Sequence, residues 1–383
     1  MRARAWLILL TVALARVAFG YQFQTVPTLA PGLMDAYRLD YTQLGTLIGL
    51  FVAPGILLAL PLGLLGRRFG EGGVVGAGLV LLTLGPLLSG YPGDAFGIGM
   101  GRVIAGAGSV AMIVLQNKII SDWFAGRWFM IAISLSIVGY PVGVSAAQIL
   151  VPWIVLGHGL FAAFLSDTVL AGAAALLFFA SYRTGPYASV ASRNFRMPGR
   201  RECILVVIAG LAWTAYTSSY AGFVSYVPSL LAGRADAVVL TAVVMGIVTL
   251  GSVPPTLAGG PLAARVGAFP QMLAGSLALA GGSLGIALTP WPVASAIVFG
   301  VIGSLHAPLI MAAGTLSARP ENRAVGMGLF YTTYYAGNAI APALCGRAAD
   351  LTGGPAGALY AAAAIGLLVL PVWLLHTALS RPR

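Results

Sequence analysis

Read for hydropathy alone, the 383-residue chain is a succession of apolar stretches parted by short polar or glycine-rich turns. Each stretch is about 20 residues long, enough for a helix rising 1.5 Å per residue to cross about 30 Å of hydrocarbon. The pattern predicts twelve spans, near 5–31, 42–64, 72–91, 94–119, 128–152, 158–181, 203–231, 237–262, 270–289, 291–316, 324–346 and 354–378. A membrane barrel would need short alternating strands instead. The first stretch has the basic start and apolar core of a signal peptide. Its apolar run continues past Arg16 to Met34, so it is read as a span.

Composition agrees. Hydrophobic residues make up 59% of the chain and charged ones 8%, against about a quarter charged in soluble domains. The net charge of +11 raises the question of a nucleic-acid partner. The positions answer it. With the N-terminus inside, sixteen Lys and Arg residues fall on one face and only Arg38, Arg234 and Arg347 on the other, while Arg16 and Arg102 lie within spans. Positive residues collect on the cytoplasmic side of membrane proteins. Both termini are therefore expected in the cytoplasm, in an inner or plasma membrane, and no nucleic-acid partner is needed. Cys203 and Cys345 have neither disulfide nor metal-site spacing, and no metal or cofactor is expected.

The hydrophilic stretch at 182–202 is basic and rich in Ser, Gly and Pro. It reads as a cytoplasmic linker, or as an interfacial helix on anionic lipid, between six-span bundles at 1–181 and 203–383. The two halves repeat one another. "GLLGRRFG" (63–70) returns as "GPLAARVG" (260–267), "VPTL" (26–29) as "VPSL" (227–230), and Ser121…Arg127 as Ser317…Arg323. Parallel repeats of this kind are a transporter architecture.

The loop carrying Gly63, Arg67, Arg68, Gly70 and Glu71, with its fainter copy at Arg265, resembles the signature loop of the major facilitator superfamily. "GRVIAGAGS" (101–109) resembles that superfamily's arginine-and-glycine motif in span 4, and "GNAIAPALCGRAADLTGG" (337–354) its usual span 11 ending. The resemblance implies two pseudo-symmetric six-helix bundles, with spans 1, 4, 7 and 10 lining a central cavity, 2, 5, 8 and 11 flanking it, and 3, 6, 9 and 12 outside. It also implies a role in conformational gating for the loop residues. The chain departs from the pattern: Arg67 stands where the family usually has Asp, and the second copy has Ala264 there. An Asp-centred latch is then without its Asp, and Glu71 is the acidic residue at hand.

Polar residues within spans are the candidates for chemistry, because charge in hydrocarbon is expensive. Arg16, Gly20, Gln24 and Pro27 share one stripe of span 1. Arg16 either binds an anion or bonds the carbonyls of a broken helix. Arg102 fits the span 4 motif, with substrate pairing, proton coupling or a structural pair as its readings. Trp213, Tyr216, Tyr220 and Phe223 in span 7, and Tyr331, Tyr334, Tyr335 and Asn338 in span 11, form aromatic stripes that serve packing or orient a ligand. His306 in span 10 and Asp167 in span 6 are the candidates for carrying a coupling proton. The outer position of span 6 argues for Asp167 as a structural partner instead.

The resulting expectation is a monomeric secondary transporter, working by alternating access on a small organic or inorganic anion, with a proton or counter-anion as coupling partner and the lipid bilayer as its environment. The alternative is a proton-coupled exporter of drugs or metabolites. An intramembrane enzyme is disfavoured, because no metal-ligand cluster or nucleophile–base set falls at matching depth.

Overall fold

In hydrocarbon a backbone has no water to bond, so each spanning segment must satisfy its own amides and carbonyls. A computed structural model describes residues 2–91, 94–124, 127–186, 198–319 and 322–380, and among these the backbone is helix and turn with no strand. The helices are α1 (Arg2–Thr28), α2 (Ala30–Tyr37), α3 (Tyr41–Leu50), α4 (Gly55–Phe69), α5 (Glu71–Gly90), α6 (Ala95–Trp123), α7 (Arg127–Ser181), α8 (Arg200–Leu231), α9 (Ala237–Thr249), α10 (Val253–Val266), α11 (Ala268–Leu288), α12 (Pro292–Ile297), α13 (Ala307–Leu316), α14 (Arg323–Thr352), α15 (Ala356–Leu367) and α16 (Val369–Ser380). A π-helical turn, Val298–Ile302, follows α12.

Ten helical stretches among the described residues are long and apolar enough to cross a membrane. One of them, Ile131–Ser181, contains Gly159 at φ 80° and ψ 177° and is two crossings joined at that residue. The sequence pattern places this boundary at 153–157, because nothing in the hydropathy marks a turn carried by one glycine. Helix α14 is outside the ten, since Arg323, Arg347 and Asp350 and its tyrosines lower its apolarity. Its 30 residues span about 45 Å. With these, the chain has the expected twelve crossings.

The repeat seen in the sequence returns in the backbone. Gly70 ends α4 at φ 81° and ψ 141°, and Gly267 ends α10 at φ 89° and ψ 152°. Each also caps the start of the next helix. This region of φ,ψ is open only to glycine, which explains why both copies of the loop close on one. Spans 2 and 8 break at matching places, residues 51–54 and 250–252. Short bonds such as Gly55 N–H to the Val52 carbonyl (3.0 Å) and Val253 N–H to the Leu250 carbonyl (3.2 Å) keep those breaks satisfied.

By packing, the chain divides into two units, one of Met1–Gly32 with Leu50–Arg193, the other of Leu33–Gly49 with Asn194–Arg383. In unit 1, α1 packs along α7 and α5 along α6. Glycines let these pairs approach closely: Gly143 sits against the Val17 carbonyl and Gly108 against the Gly78 carbonyl. In unit 2, α8 packs on α14 and α15, and the rings of Phe223 and Phe299 stack with centroids 4.0 Å apart.

Candidate functional site

Helix α6 carries Arg102 into the interior of unit 1, where it is 4% exposed. Arginine keeps its charge at any accessible pH, so its surroundings must compensate. Its Nη1 donates to the Gln22 carbonyl at 2.6 Å, and its guanidinium lies over the Phe51 ring. Asp167, in the second half of α7, is buried beside it, and the two charges interact. The Asp167 carboxylate accepts from Thr25 Oγ1 at 2.8 Å. Gln22 Nε2 donates to the Leu82 carbonyl at 2.9 Å, tying α1 to α5.

These groups surround a cavity of about 10 Å³, lined by Gln22, Phe51, Ser89, Arg102, Phe164 and Asp167 among others. Arg102 and Asp167 are the ionisable residues in its lining. Its size decides what it can hold. About 10–15 Å³ is the space of one water, so the cavity suits a single water and excludes a metabolite. Since arginine does not release its proton, the Asp167 carboxylate is the group of the pair that can exchange one. Its position on an outer span made Asp167 a structural partner by sequence; packing brings it to the same cavity as Arg102.

Arg16 is half-buried on α1, with its Cβ beside Gly139 of α7, and Gly20 lies against the Tyr140 carbonyl. The stripe of span 1 that holds Arg16 and Gly20 therefore faces the first half of α7. Gln24 is fully buried.

Unit 2 gathers most of the aromatic candidates on α8 and α14. Trp213 and Tyr216 lie 5.4 Å apart, and Tyr216 meets the ring of His306 edge-on at 5.0 Å. Tyr331, Tyr334 and Tyr335 form a chain of edge contacts, while Tyr220 stacks toward Phe299. Asn338 Nδ2 donates to Thr217 Oγ1 at 2.8 Å and joins the two helices. Trp213, Tyr216, Tyr220 and Tyr331 are half-buried, whereas Tyr335, Asn338 and His306 are buried.

Among the gating residues, the side chains of Arg67 and Arg68, and the surroundings of Gly63, lie outside the described residues; the backbone there is the last turns of α4. Glu71 pairs with Lys118 of α6 at 3.9 Å, and Lys118 also pairs with Asp122. The acidic group of this loop thus makes a bond within unit 1. Burial, then the nearby Glu71 and Asp122 carboxylates, raise the Tyr182 hydroxyl above its ordinary pKa. Arg265 in the second loop copy is exposed.

Sequence reasoning missed Gln22, Thr25 and Phe51. Gln22 carried a usable signal, being a polar side chain inside an apolar span, but Gln24 on the Arg16 stripe drew attention from it. Phe51 carried none, because a phenylalanine in a membrane span is unremarkable until its neighbours are known.

The comparisons with known proteins come to the same fold. The xylose transporter XylE from E. coli, in an inward-open conformation, superposes with a TM-score of 0.79 at 15% identity, covering 96% of each chain. A peptide transporter of the POT family gives 0.77 at 15% identity, over 100% of this chain and 98% of that one. The nucleoside transporter NupG gives 0.74 at 13%, over 98% and 100%. An uncharacterized transporter of Buchnera aphidicola subsp. Schizaphis graminum (strain Sg) is 28% identical over 108 residues, which are 26% of this chain and 28% of that protein. The sequence profile of the Major Facilitator Superfamily matches residues 11–342. With most of its length inside that match, and with repeated halves closing their loops on equivalent glycines, the chain belongs to the Major Facilitator Superfamily.

Proposed function

We propose that this protein is a proton-coupled secondary transporter of a small solute, working by alternating access, in which Asp167 takes up and releases the coupling proton beside Arg102. The observation that carries this reading is the shared cavity: one fixed cation and one titratable carboxylate line a space with room for about one water. When Asp167 is ionised, the two charges balance. When it is protonated, the Arg102 charge is left to its carbonyl and ring contacts, and the site favours a different packing. A ligand shifts a two-state equilibrium only through such a difference between states, and here the ligand is a proton.

For the solute we propose a small anion. Arg16 and Arg102 are permanent cations within the spans of unit 1, and Asp167 is the carboxylate buried beside Arg102. A guanidinium matches an oxyanion at two points. Both termini are proposed to lie in the cytoplasm, supported by the sixteen-to-three distribution of basic residues.

Purified protein in liposomes, offered a panel of small carboxylates and oxyanions under an imposed pH gradient, tests both parts. Asp167→Asn is expected to keep solute exchange at equal pH and to lose accumulation driven by the gradient. Gradient-driven accumulation at the wild-type level in Asp167→Asn would sink the coupling role. Equal exchange by wild type and a well-folded Arg16→Gln protein would sink the anion role of Arg16.

A further inference from the structure

Span 10 is not one helix. Between α12 and α13 lie the π-helical turn Val298–Ile302 and the turn residues 303–306, whereas span 4, its counterpart in unit 1, runs unbroken as α6. Irregular backbone at membrane depth is tolerated only where its polar groups find partners inside the protein. Gln271 of α11 supplies one: its Nε2 donates to the Leu305 carbonyl at 2.5 Å and to the Gly259 carbonyl of α10 at 2.9 Å. Ser304 Oγ lies 3.3 Å from the Ser252 carbonyl, which ties this break to that of span 8.

His306 closes the break. It is 0% exposed and stands at the cap of α13, with Nδ1 packed over Gly275 of α11, where a Cβ would collide. Both Nε2 hydrogens of Gln271 are committed to carbonyls, so the orientation of that amide is determined. Its Oε1 is then a buried acceptor with no hydrogen bond. Among the described residues, neither ring nitrogen of His306 makes a hydrogen bond, and the Gly303 carbonyl is the backbone group that faces the ring. Gly275 stands one turn beyond Gln271 on the same face of α11, about 6 Å along its axis. A buried imidazole and a buried free acceptor are thus neighbours that are not joined.

We propose that His306 is a proton-binding site of unit 2, separate from Asp167, whose charged ring bonds the free Gln271 oxygen and so locks α11 to the break in span 10. The proton comes from hydronium: it binds the lone pair of the bare ring nitrogen, releases water and breaks no bond in the protein. A neutral ring has one N–H and a charged ring two. Two acceptors await them, Gln271 Oε1 and the Gly303 carbonyl, and a charged donor makes the stronger bond. Tyr216 of α8 is the titratable group that faces the ring. Helix α11 faces it with Gly275 and Gln271, and the neighbouring spans bring Gly259, Ser252 and Ser304, none of them ionisable. The charged residues of α8, Arg200, Arg201 and Glu202, stand in its first turn, about 20 Å along the helix from Tyr216. Arg265 of α10 is exposed in its last turn, and Arg323, Arg347 and Asp350 lie toward the ends of α14. The site therefore answers acidity by gaining a hydrogen bond, where Asp167 answers it by losing its charge beside Arg102. The inference goes beyond the coupling proposed for Asp167 and does not depend on it.

Ring-15N-labelled protein in lipid, with His158 and His376 replaced by Gln so that His306 is the single histidine, shows the charge of the ring by solid-state NMR. Two unequal nitrogen signals are expected to move together as the pH falls from about 8 to about 4, a range that brackets the ordinary histidine value. Hydrogen exchange of the 298–306 amides, divided by its intrinsic pH dependence, is expected to slow by about tenfold over the same range, the weight of one hydrogen bond to a charged group. His306→Gln is expected to abolish that slowing. Gln271→Glu, whose carboxylate attracts the charged ring, is expected to raise the proton affinity of the ring by about tenfold or more. Asp167→Asn is expected to leave both readouts unchanged. A ring that stays neutral down to about pH 4 would overturn the proposal. So would a titration that leaves exchange unslowed, a slowing that survives His306→Gln, an unchanged affinity in Gln271→Glu, or loss of the titration in Asp167→Asn. No solute enters these measurements, so their outcome and the outcome of the transport assay are read apart.

Discussion

The guanidinium carbon of Arg102 lies 4.3 Å from the centroid of the Phe51 ring. Phe51 is also the first residue after α3, so the ring that faces the buried cation belongs to the bend that carries the α2–α3 hairpin. The buried cation thus contacts a residue of the bend itself. A cation over an aromatic face is worth about 0.5–2 kcal/mol, with the upper figure for desolvated sites.

Phe51→Leu keeps the apolar volume and loses the ring face. It is expected to lower stability by about 1 kcal/mol and to slow solute exchange, while Phe51→Trp, with a stronger π face but more bulk, tests whether space or charge limits the site. Thermal unfolding in detergent and exchange in liposomes measure the two effects. Wild-type behaviour of Phe51→Leu on both counts would remove the ring from the mechanism.

Gly159 and Gly157 make a controlled pair. A Cβ would meet nothing within 4 Å at either position, but only Gly159 has positive φ. Gly159→Ala is expected to destabilise by about 1–3 kcal/mol through backbone strain, and Gly157→Ala to change stability by less than about 0.5 kcal/mol. Equal melting temperatures for the two variants would show that the turn between the two crossings of α7 relaxes.

Close helix contact in unit 1 predicts a different pattern. A Cβ on Gly143 would collide with the Val17 carbonyl, whereas one on Gly73 would meet nothing. Gly143→Ala is expected to cost about 1–3 kcal/mol by overpacking and Gly73→Ala almost nothing. The amount of monodisperse protein recovered after mild heating distinguishes them, and comparable recovery would mean that α1 and α7 can part freely.

The proposed orientation is tested by single cysteines at Ala235 and Gly199, both exposed, in a background lacking Cys203 and Cys345. An impermeant maleimide added to intact cells is expected to label the first and spare the second until the membrane is opened. The reverse order of labelling would invert the topology.

Much of the architecture was legible before folding. Hydropathy period and length determine how many times a chain must cross a membrane, because an unsatisfied backbone in lipid is too costly to tolerate. The count of twelve, the repeat between 63–70 and 260–267, and the glycines that close both loops follow from that rule and from the φ,ψ freedom of glycine alone. The charged candidates Arg16, Arg102 and Asp167 were visible for a related reason, since charge inside an apolar span is rare and needs a cause.

Which of those residues meet was decided only by tertiary packing. Hydropathy fixes depth along the membrane normal but leaves open the rotation of each helix and the choice of neighbours, and these depend on side-chain fit and small-residue contacts between segments distant in sequence. Thus Asp167, 65 residues beyond Arg102 in the chain, shares its cavity, and Gln22 and Thr25 of α1 bond this pair where Gln24 does not line it. Likewise Asp350 was an ordinary acidic residue at a helix end until α3 was found donating its first amides to it. A carboxylate's partner across 308 residues is set by where two helix ends come to rest, and that is a property of the folded molecule.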